Sequence, residues 1–290
     1  MNAVQPEYHR PSTVERACGL LADASHPAVV AGGQSLTLSI DDGKRTPDVL
    51  VDIADIESLD EIQRKDGILS LGATVTHSNI KRSRTVSATI PALSTAASEI
   101  GDQQIRNAGT IGGTTAFRYH TADYPPVLVA SDARILSRSE NGQRERTAVE
   151  YFIDPTANKL DSDELITEIH IPVPGAHQSV AYAAFSYPGH TRGLVNIAVS
   201  LRTDDEKCRD ATLVVGSVDD NPQTVPAVTD SLVGSVLSRE KLADVANRAG
   251  ESVSITRCQN VSPDYLRKVI TEMTEQAIQT AWNRLEDSHE

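Results

Sequence analysis

The chain has 290 residues, of which 39% are hydrophobic, so it is long enough for two domains with apolar cores. Forty acidic residues against 27 basic ones give a net charge of −13, which disfavours nucleic acid or an anionic membrane surface as the main partner. No apolar run is long enough to span a membrane, and the N-terminus lacks the apolar core and cleavage site of a secretion signal. A cytoplasmic protein is therefore expected.

Helix and strand signals alternate at the start of the chain. A capping box from Ser12 to Glu15 predicts the beginning of a helix. Short β-branched runs at 28–30 and 49–53 predict buried strands, and an Asp-Gly pair at 66–67 predicts a β-hairpin. This order indicates a mixed fold of helices and strands.

Capping residues predict three more helices in the first half of the chain. Thr76 is expected to cap one helix, and Pro91 and Gly101 mark the first turn and the end of the next. Asp123 opens a third, whose two prolines lie where amide hydrogens are not needed. A second hairpin is predicted at the Asn-Gly pair at 141–142.

The pattern changes near residue 175, where a strand ends in a Pro-Gly break, and a domain boundary is predicted there. Three strand-like runs follow, the last two as an antiparallel hairpin, and then helices at 224–237, at 238–250 and from Ser262 onward. The last helix carries a predicted core stripe of Leu266, Val269, Ile270, Met273, Ile278, Trp282 and Leu285. The predicted fold class is α+β, in two parts.

The three cysteines, Cys18, Cys208 and Cys258, lie far apart and form no CxxC pair. Their spacing matches neither an iron–sulfur cluster nor a zinc site, so no metal ligand is predicted. Isolated cysteines of this kind are expected to be inert residues of the core.

Two Gly-Gly pairs are the most informative feature, in "AVVAGGQSL" at 28–36 and in "RNAGTIGGTTAF" at 106–117. Glycine lets backbone amides approach a ligand, consecutive amides form an anion site, and Ser35, Thr110 and Thr114 add small donors. A plain tight turn is the alternative for either pair alone. Neither loop is GxGxxG or a P-loop, so the sequence predicts one diphosphate-containing ligand held by both loops in another fold.

The order of these segments resembles the FAD-binding (medium) subunit of the molybdenum hydroxylases, the family of carbon monoxide, xanthine and nicotinate dehydrogenases. "AGGQSL" and "IRNAGTIGGT" resemble the two flavin loops of that family. "PDVLVDIADIESLDEI", "DGILSLGATVTHSNI" and "DELITEIHIPVP" resemble its strands and turns. Residues from about 178 onward resemble its smaller C-terminal domain, so the resemblance covers essentially the whole chain.

The resemblance implies a PCMH-type FAD-binding domain of two α/β subdomains at 1–175. It also implies a CO dehydrogenase flavoprotein-like C-terminal domain at 178–290, with a three-stranded antiparallel sheet and helices. Both glycine loops would bind the FAD pyrophosphate. The cofactor-binding residues would be Ala31, Gly32, Gly33, Gln34, Ser35 and Leu36 on one side, Thr110, Ile111, Gly112, Gly113 and Thr114 on the other, and Asp123.

Four of these positions carry further expectations. Asp123 lies where the family has an acidic residue that contacts FAD, and a simple helix cap is the alternative. Gln34 is not the histidine that tethers flavin covalently in some related oxidases, so non-covalent FAD is expected. Valine at Gly33 or Gly112 is expected to abolish FAD binding while leaving the fold largely intact.

The chain also departs from the family pattern in two places. Tyr119 and His120 replace the usual Asp-Pro after the second loop, and His120 is expected to be a loop residue rather than a base or a ligand. Tyr187 and His190 lie where the family commonly has Lys and Arg near the flavin. These departures leave open the retention of FAD, the electronics of the flavin and the surface offered to a partner or acceptor.

The resemblance implies a role in electron transfer, with no catalytic side chain in this chain. A large molybdopterin-binding subunit would oxidise the substrate, the iron–sulfur clusters of a small subunit would deliver electrons, and FAD would pass them to an external acceptor. The complex would be a heterotrimer or its dimer. Two alternatives remain: a self-contained flavin-dependent oxidoreductase, and a non-catalytic assembly subunit that has lost FAD.

Overall fold

The computed structural model describes residues 5–154, 160–186, 193–204, 207–258 and 260–287. Tyr187 and His190 lie outside these residues. The described strands are β1 (Glu7–His9), β2 (Pro27–Val30), β3 (Val49–Asp52), β4 (Ile62–Lys65), β5 (Ile68–Gly72), β6 (Arg134–Ser139), β7 (Gly142–Thr147), β8 (Leu165–Pro172), β9 (Gln178–Phe185), β10 (Val195–Asp204), β11 (Lys207–Gly216) and β12 (Gln223–Thr224).

Helices connect these strands and cover the sheets. They are α1 (Val14–Asp23), α2 (Leu36–Asp41), α3 (His77–Arg82), α4 (Arg84–Thr89), α5 (Pro91–Glu99), α6 (Gln103–Ala108), α7 (Ile111–Phe117), α8 (Tyr124–Ala130), α9 (Ala148–Phe152), α10 (Pro226–Thr229), α11 (Arg239–Ser252) and α12 (Pro263–Glu286), with a 3₁₀ turn at Glu57–Leu59. None of the helices in the described residues is both long and apolar enough to cross a membrane.

The first sheet is small and parallel, with the strand order β1-β3-β2. Helix α1 packs its apolar side on β3, where Leu21 and Val51 are buried. The predicted cap of α1 is one residue early, because the Thr13 side chain rather than Ser12 accepts the amide of Arg16. Thr13 is still extended, with φ of −138°, so it is the last residue before the helix.

The second sheet has five antiparallel strands in the order β4-β5-β8-β6-β7. Both predicted hairpins are confirmed within it. Asp66 and Gly67 have φ of 50° and 76°, the left-handed pair that a two-residue hairpin turn requires. The second hairpin turns at Gly142, which has φ of 128°.

The third sheet is antiparallel in the order β12-β11-β10-β9, and the predicted β10–β11 hairpin is confirmed. Its fourth member, β12, has two residues and was not predicted. Along β9 and β10, side chains alternate between two cores. Tyr182 and Ala198 pack with the core of the first part, whereas Ala183 and Ile197 pack towards α11 and α12.

Helix α12 confirms the last predicted helix, since Ser262 caps it and Pro263 lies at its first position. The predicted stripe is buried or packed against the core along its whole length. The predicted helix at 224–237 is wrong beyond α10. Gly234 is left-handed, with φ of 78°, and its amide donates to the carbonyl of Cys208 at 2.7 Å. After α10 the chain continues in turns closed by bonds between residues three apart, and the backbone then pairs with β11 at Cys208.

Candidate functional site

The two glycine loops, residues 31–36 and 110–114, lie next to each other although they are far apart in sequence. Gly32 faces the backbone that leads into the second loop. A Cβ atom at Gly32 would lie 2.0 Å from the carbonyl oxygen of Ala108 and 2.8 Å from the Cα of Gly109. The two backbones touch here, so the fold brings together both segments of the predicted site.

The first glycine loop runs from the end of the edge strand β2 to the start of α2. Gly33 takes the left-handed conformation, with φ of 68°, and a Cβ atom there would meet nothing closer than 3.7 Å. The amides of Gly32, Gly33, Gln34 and Ser35 donate no hydrogen bond to any described residue. The loop therefore presents several backbone donors that the described part of the fold does not use.

The second glycine loop uses its amides within the fold. The amides of Ile111 and Gly112 donate to the carbonyls of Val75 and Ala73 at 3.0 and 2.9 Å, and that of Gly113 donates to the side chain of Thr110 at 3.1 Å. Gly113 is exposed and Thr114 is half-buried, so these two residues are the ones open to a ligand.

Gly112 has a packing role that its sequence pattern did not reveal. It is buried, and a Cβ atom there would lie 2.6 Å from both the carbonyl oxygen and the Cβ of Ala73. Ala73 cannot withdraw, because its carbonyl holds the amide of Gly112. The expectation that Gly112→Val leaves the fold intact is therefore wrong.

A buried histidine lies directly behind the second loop and was not among the predicted site residues. His77 is the first residue of α3. Its Nδ1 lies 3.0 Å from the hydroxyl of Tyr124, and its Nε2 lies 3.5 Å from Oγ1 of Thr114. The backbone also joins the two, because the amide of His77 donates to the carbonyl of Gly109 at 3.0 Å. The one sequence signal was the Thr-His pair at 76–77, shortly after the second strand of the first hairpin.

His77 is held neutral by its surroundings. Burial lowers the pKa of its imidazole from 6.5 to about 4, and the positive charge of Arg106 adds to this effect. Arg106 is fixed nearby, since its guanidinium donates to the carbonyls of Ile100 and Gly101 at 2.9 and 2.7 Å. A neutral imidazole offers one donor and one acceptor.

Asp123 is buried and does not cap α8, so the capping alternative is wrong. Its carboxylate instead accepts the hydroxyl of Tyr182 on β9 at 2.6 Å, and the side-chain amide of Asn196 on β10 donates to the neighbouring carbonyl of Ala122 at 3.0 Å. Burial raises the pKa of Asp123 to about 6, against the lowering effect of the hydrogen bond from Tyr182. No described contact joins Asp123 to either glycine loop.

The two departures at Tyr119 and His120 lie just beyond α7. The Tyr119 ring lies 4.5 Å from that of His120 and stacks at 6.0 Å on Phe117, which is exposed. His120 lies in a loop, as expected. In the described residues, no three His, Cys, Asp or Glu side chains are grouped closely enough to hold a metal ion.

A flavin dinucleotide fits these loops. Its diphosphate needs several donors from backbone close enough to approach, which the unused amides around Gly33 supply. Gly113 has no side chain to block the approach, and Thr114 adds a hydroxyl. The fold and the site define a two-part α+β protein with a dinucleotide-type site between two glycine loops that is not of the Rossmann kind.

The comparisons with known proteins agree with this class. Residues 2–174 match the family described as the FAD binding domain in molybdopterin dehydrogenase, and residues 181–281 match the CO dehydrogenase flavoprotein C-terminal domain. The nicotine 6-hydroxylase medium subunit of Paenarthrobacter nicotinovorans is 32% identical, with 96% of this chain and 97% of the relative covered. The caffeine dehydrogenase subunit beta of Pseudomonas sp. (strain CBB1) is 28% identical, with 96% and 95% covered.

Solved structures show the same likeness. A chain of the carbon monoxide dehydrogenase from Hydrogenophaga pseudoflava superposes with a TM-score of 0.89 at 27% identity, covering 98% of this chain and 99% of that one. The protein belongs to the family of FAD-binding medium subunits of the molybdenum hydroxylases. It is a flavoprotein subunit of the multi-subunit dehydrogenase type, an oxidoreductase.

Proposed function

We propose that this chain is the electron-transfer subunit of a cytoplasmic molybdenum hydroxylase complex. It takes electrons from the iron–sulfur clusters of a small partner subunit and passes them to an external acceptor. A large molybdopterin-binding subunit oxidises the substrate. The three chains form a heterotrimer or its dimer.

The observation that carries the proposal is the contact of Gly32 in the first loop with Ala108, on the backbone that leads into the second loop. It brings the first loop, whose amides donate to no described residue, against the backbone that leads into the second loop. Bound FAD supplies the redox chemistry, because its ring accepts and releases electrons. The residues of this chain bind and orient it.

Each loop has its own task in this proposal. The residues of the first loop, Ala31, Gly32, Gly33, Gln34, Ser35 and Leu36, donate backbone amides to the diphosphate. In the second loop, Gly113 and Thr114 contact the ligand, while Thr110, Ile111 and Gly112 hold the loop in place through their contacts with the fold. Gln34 leaves the flavin without a covalent tether.

Asp123 and the domain boundary complete the proposal. Asp123 contacts the flavin from the place where the start of α8 meets β9 and β10. Its hydrogen bond with Tyr182 joins these elements. The FAD-binding domain extends over 1–175 and the C-terminal domain over 178–290. In chain order, β8 is the last strand of the five-stranded sheet and β9 is the first strand of the separate four-stranded sheet. This change of sheet supports the division.

A matched pair of glycines tests the site. Gly33 and Gly43 both have φ of 68°, and a Cβ atom at Gly43 would meet nothing within 4 Å. Valine at either position therefore carries similar backbone strain, but only Gly33 lies in the glycine loop. Gly33→Val should abolish FAD binding, measured by flavin absorbance of the purified full chain, and Gly43→Val should retain it. Full flavin retention in Gly33→Val would remove the first loop from the site.

Reconstitution tests the role. The purified chain should be yellow, should be bleached by dithionite and restored by an acceptor, and should oxidise no purine, nicotinate, aldehyde or carbon monoxide by itself. A mixture of this chain with the large and small partner chains should oxidise the substrate. Activity of the chain alone would favour a self-contained oxidoreductase, and a colourless chain that FAD does not reconstitute would favour an assembly subunit.

A further inference from the structure

Three polar side chains form a chain behind the second glycine loop: Tyr124, His77 and Thr114. Tyr124 and His77 are buried, and Thr114 is half-buried at the loop surface. The hydroxyl of Tyr124 lies 3.0 Å from Nδ1 of His77, and Nε2 of the same ring lies 3.5 Å from Oγ1 of Thr114. The imidazole therefore connects the core to a residue of the loop.

The hydroxyl of Tyr124 fixes the direction of the first hydrogen bond. Tyr124 is fully buried, and burial raises the pKa of its hydroxyl well above 10, so it keeps its proton. Among the described residues, Nδ1 of His77 is the one acceptor bonded to that hydroxyl. If Nδ1 carried a proton instead, the hydroxyl hydrogen would be buried without an acceptor, which costs about 1–3 kcal/mol.

The rest of the chain follows from this first bond. A neutral imidazole whose Nδ1 accepts must carry its proton on Nε2. The described partner of Nε2 is Oγ1 of Thr114, 3.5 Å away, and that hydroxyl has no other described hydrogen-bond partner. Thr114 then accepts from His77 and keeps its own hydroxyl proton free to donate in another direction.

We propose that His77 is a positioning residue that orients the hydroxyl of Thr114 as a donor to an oxygen of the FAD diphosphate. The inference rests on the proposed function, because it assumes that Thr114 contacts the flavin dinucleotide. His77 itself does not touch the ligand. The Thr114 hydroxyl could otherwise donate its proton towards the core and present only lone pairs to the anionic diphosphate. The N–H of His77 prevents this arrangement.

The tautomer is tested first on the unmodified protein. In ¹⁵N spectra of the full chain labelled at histidine, His77 should show a protonated Nε2 and an unprotonated Nδ1 at neutral pH, assigned by loss of its signals in His77→Gln. This tautomer is required by the proposed role, but the bond from Tyr124 is enough to fix it, so the substitutions below test the contact with Thr114. A protonated Nδ1, or an imidazolium, would overturn the inference.

Two substitutions of His77 then separate its two nitrogens. Glutamine places an amide donor near the Nε2 position, so His77→Gln should bind FAD within about threefold of the unmodified chain. Asparagine reaches only the Nδ1 position, so His77→Asn loses the donor to Thr114 and should bind FAD about tenfold more weakly. Equal FAD affinities in the two variants would overturn the proposed role.

Thr114→Val completes the test as a double-mutant cycle. It should weaken FAD binding about tenfold, and adding His77→Asn should cause no further loss. Multiplied effects would mean that His77 acts through stability alone, which overturns the inference. If Thr114→Val binds FAD normally while Gly33→Val does not, the inference fails and the proposed function stands. If Gly33→Val also retains FAD, both fail.

Discussion

The two glycine loops have similar sequences and opposite physical roles. In the first, the amides around Gly33 bind no described residue, and a Cβ on this left-handed glycine would lie no closer than 3.7 Å to its neighbours. In the second, the amides of Ile111 and Gly112 bind Val75 and Ala73, and Gly112 has no room for a side chain. Gly33 is needed for its backbone angle, and Gly112 is needed for close packing.

The contrast shows that a Gly-Gly pair does not reveal which of its glycines approaches a ligand. In the first loop the open one is Gly33, whereas Gly32 packs on the other loop. In the second loop the exposed one is Gly113, whereas Gly112 packs on β5 and the residues after it. In each pair, one glycine packs tightly against a neighbouring backbone segment.

The largest effect is expected for Gly112→Ala. Its Cβ would collide with the backbone of Ala73, so the free energy of unfolding should fall by about 3 kcal/mol or more. Urea unfolding of the full chain measures this loss. Gly175→Ala is the control, because a Cβ atom there would meet nothing within 4 Å. Equal stability of the two variants would contradict the packing role of Gly112.

The second loop packs against the titratable residue His77, so the free energy of unfolding should depend on pH. The pKa of His77 is about 4 in the folded state and 6.5 ordinarily, so its stabilising contribution is present above pH 6.5 and is lost as the pH falls towards 4. The loss is about 3 kcal/mol. Compared with the unmodified chain, His77→Gln should therefore lose less stability over this range in urea unfolding. Exposed His26→Gln should follow the unmodified profile.

Asp123 opposes this pH dependence. Its folded pKa of about 6 exceeds the ordinary 3.8, so its contribution favours the fold below pH 3.8 and is lost as the pH rises through 6. Asp123→Asn should remove this loss, again about 3 kcal/mol, and should expose the steeper acid dependence due to His77. An unchanged unfolding profile in Asp123→Asn would show that the carboxylate is not buried as described.

A smaller effect on stability is expected at the contact between the loops. Gly32→Ala places a Cβ 2.0 Å from the carbonyl oxygen of Ala108 and must push the first loop away from the second. Because the first loop lies at the sheet edge and can shift, the free energy of unfolding should fall by only about 1–2 kcal/mol. FAD binding should be lost. Flavin absorbance together with urea unfolding distinguishes the two effects. Retained FAD would mean that the ligand does not need both loops in contact.

A loss of stability similar to that of Gly32→Ala, but without steric collision, is expected for Gly33→Ala. Its left-handed backbone should cost about 1–2 kcal/mol, the same as for Gly43→Ala, which has the same φ. FAD affinity should fall only in Gly33→Ala, as measured by titration of the apoprotein. A fall in both variants would attribute the effect to strain in this region rather than to contact with the ligand.

Local chemistry was enough to predict several elements from the sequence. The hairpin at Asp66 and Gly67, the caps at Thr76 and Ser262 and the stripe on α12 depend on residues a few positions apart, and the structure confirms them. The error at Ser12 was one residue, because both Ser12 and Thr13 have a side chain that can cap a helix. The family followed from the order of many such segments.

Contacts between distant residues decided the rest. Asp123 has the position of a cap, but its partner Tyr182 lies 59 residues away on β9, and His77 finds Tyr124 47 residues away. The segment 224–237 has helical spacing, but the amide of Gly234 donates to the carbonyl of Cys208 on β11. The sequence by itself determined the locally specified elements, the family and the two glycine loops. Only the tertiary structure decided which glycine packs and which stays open, because burial and hydrogen bonding there depend on neighbours that the chain brings together on folding.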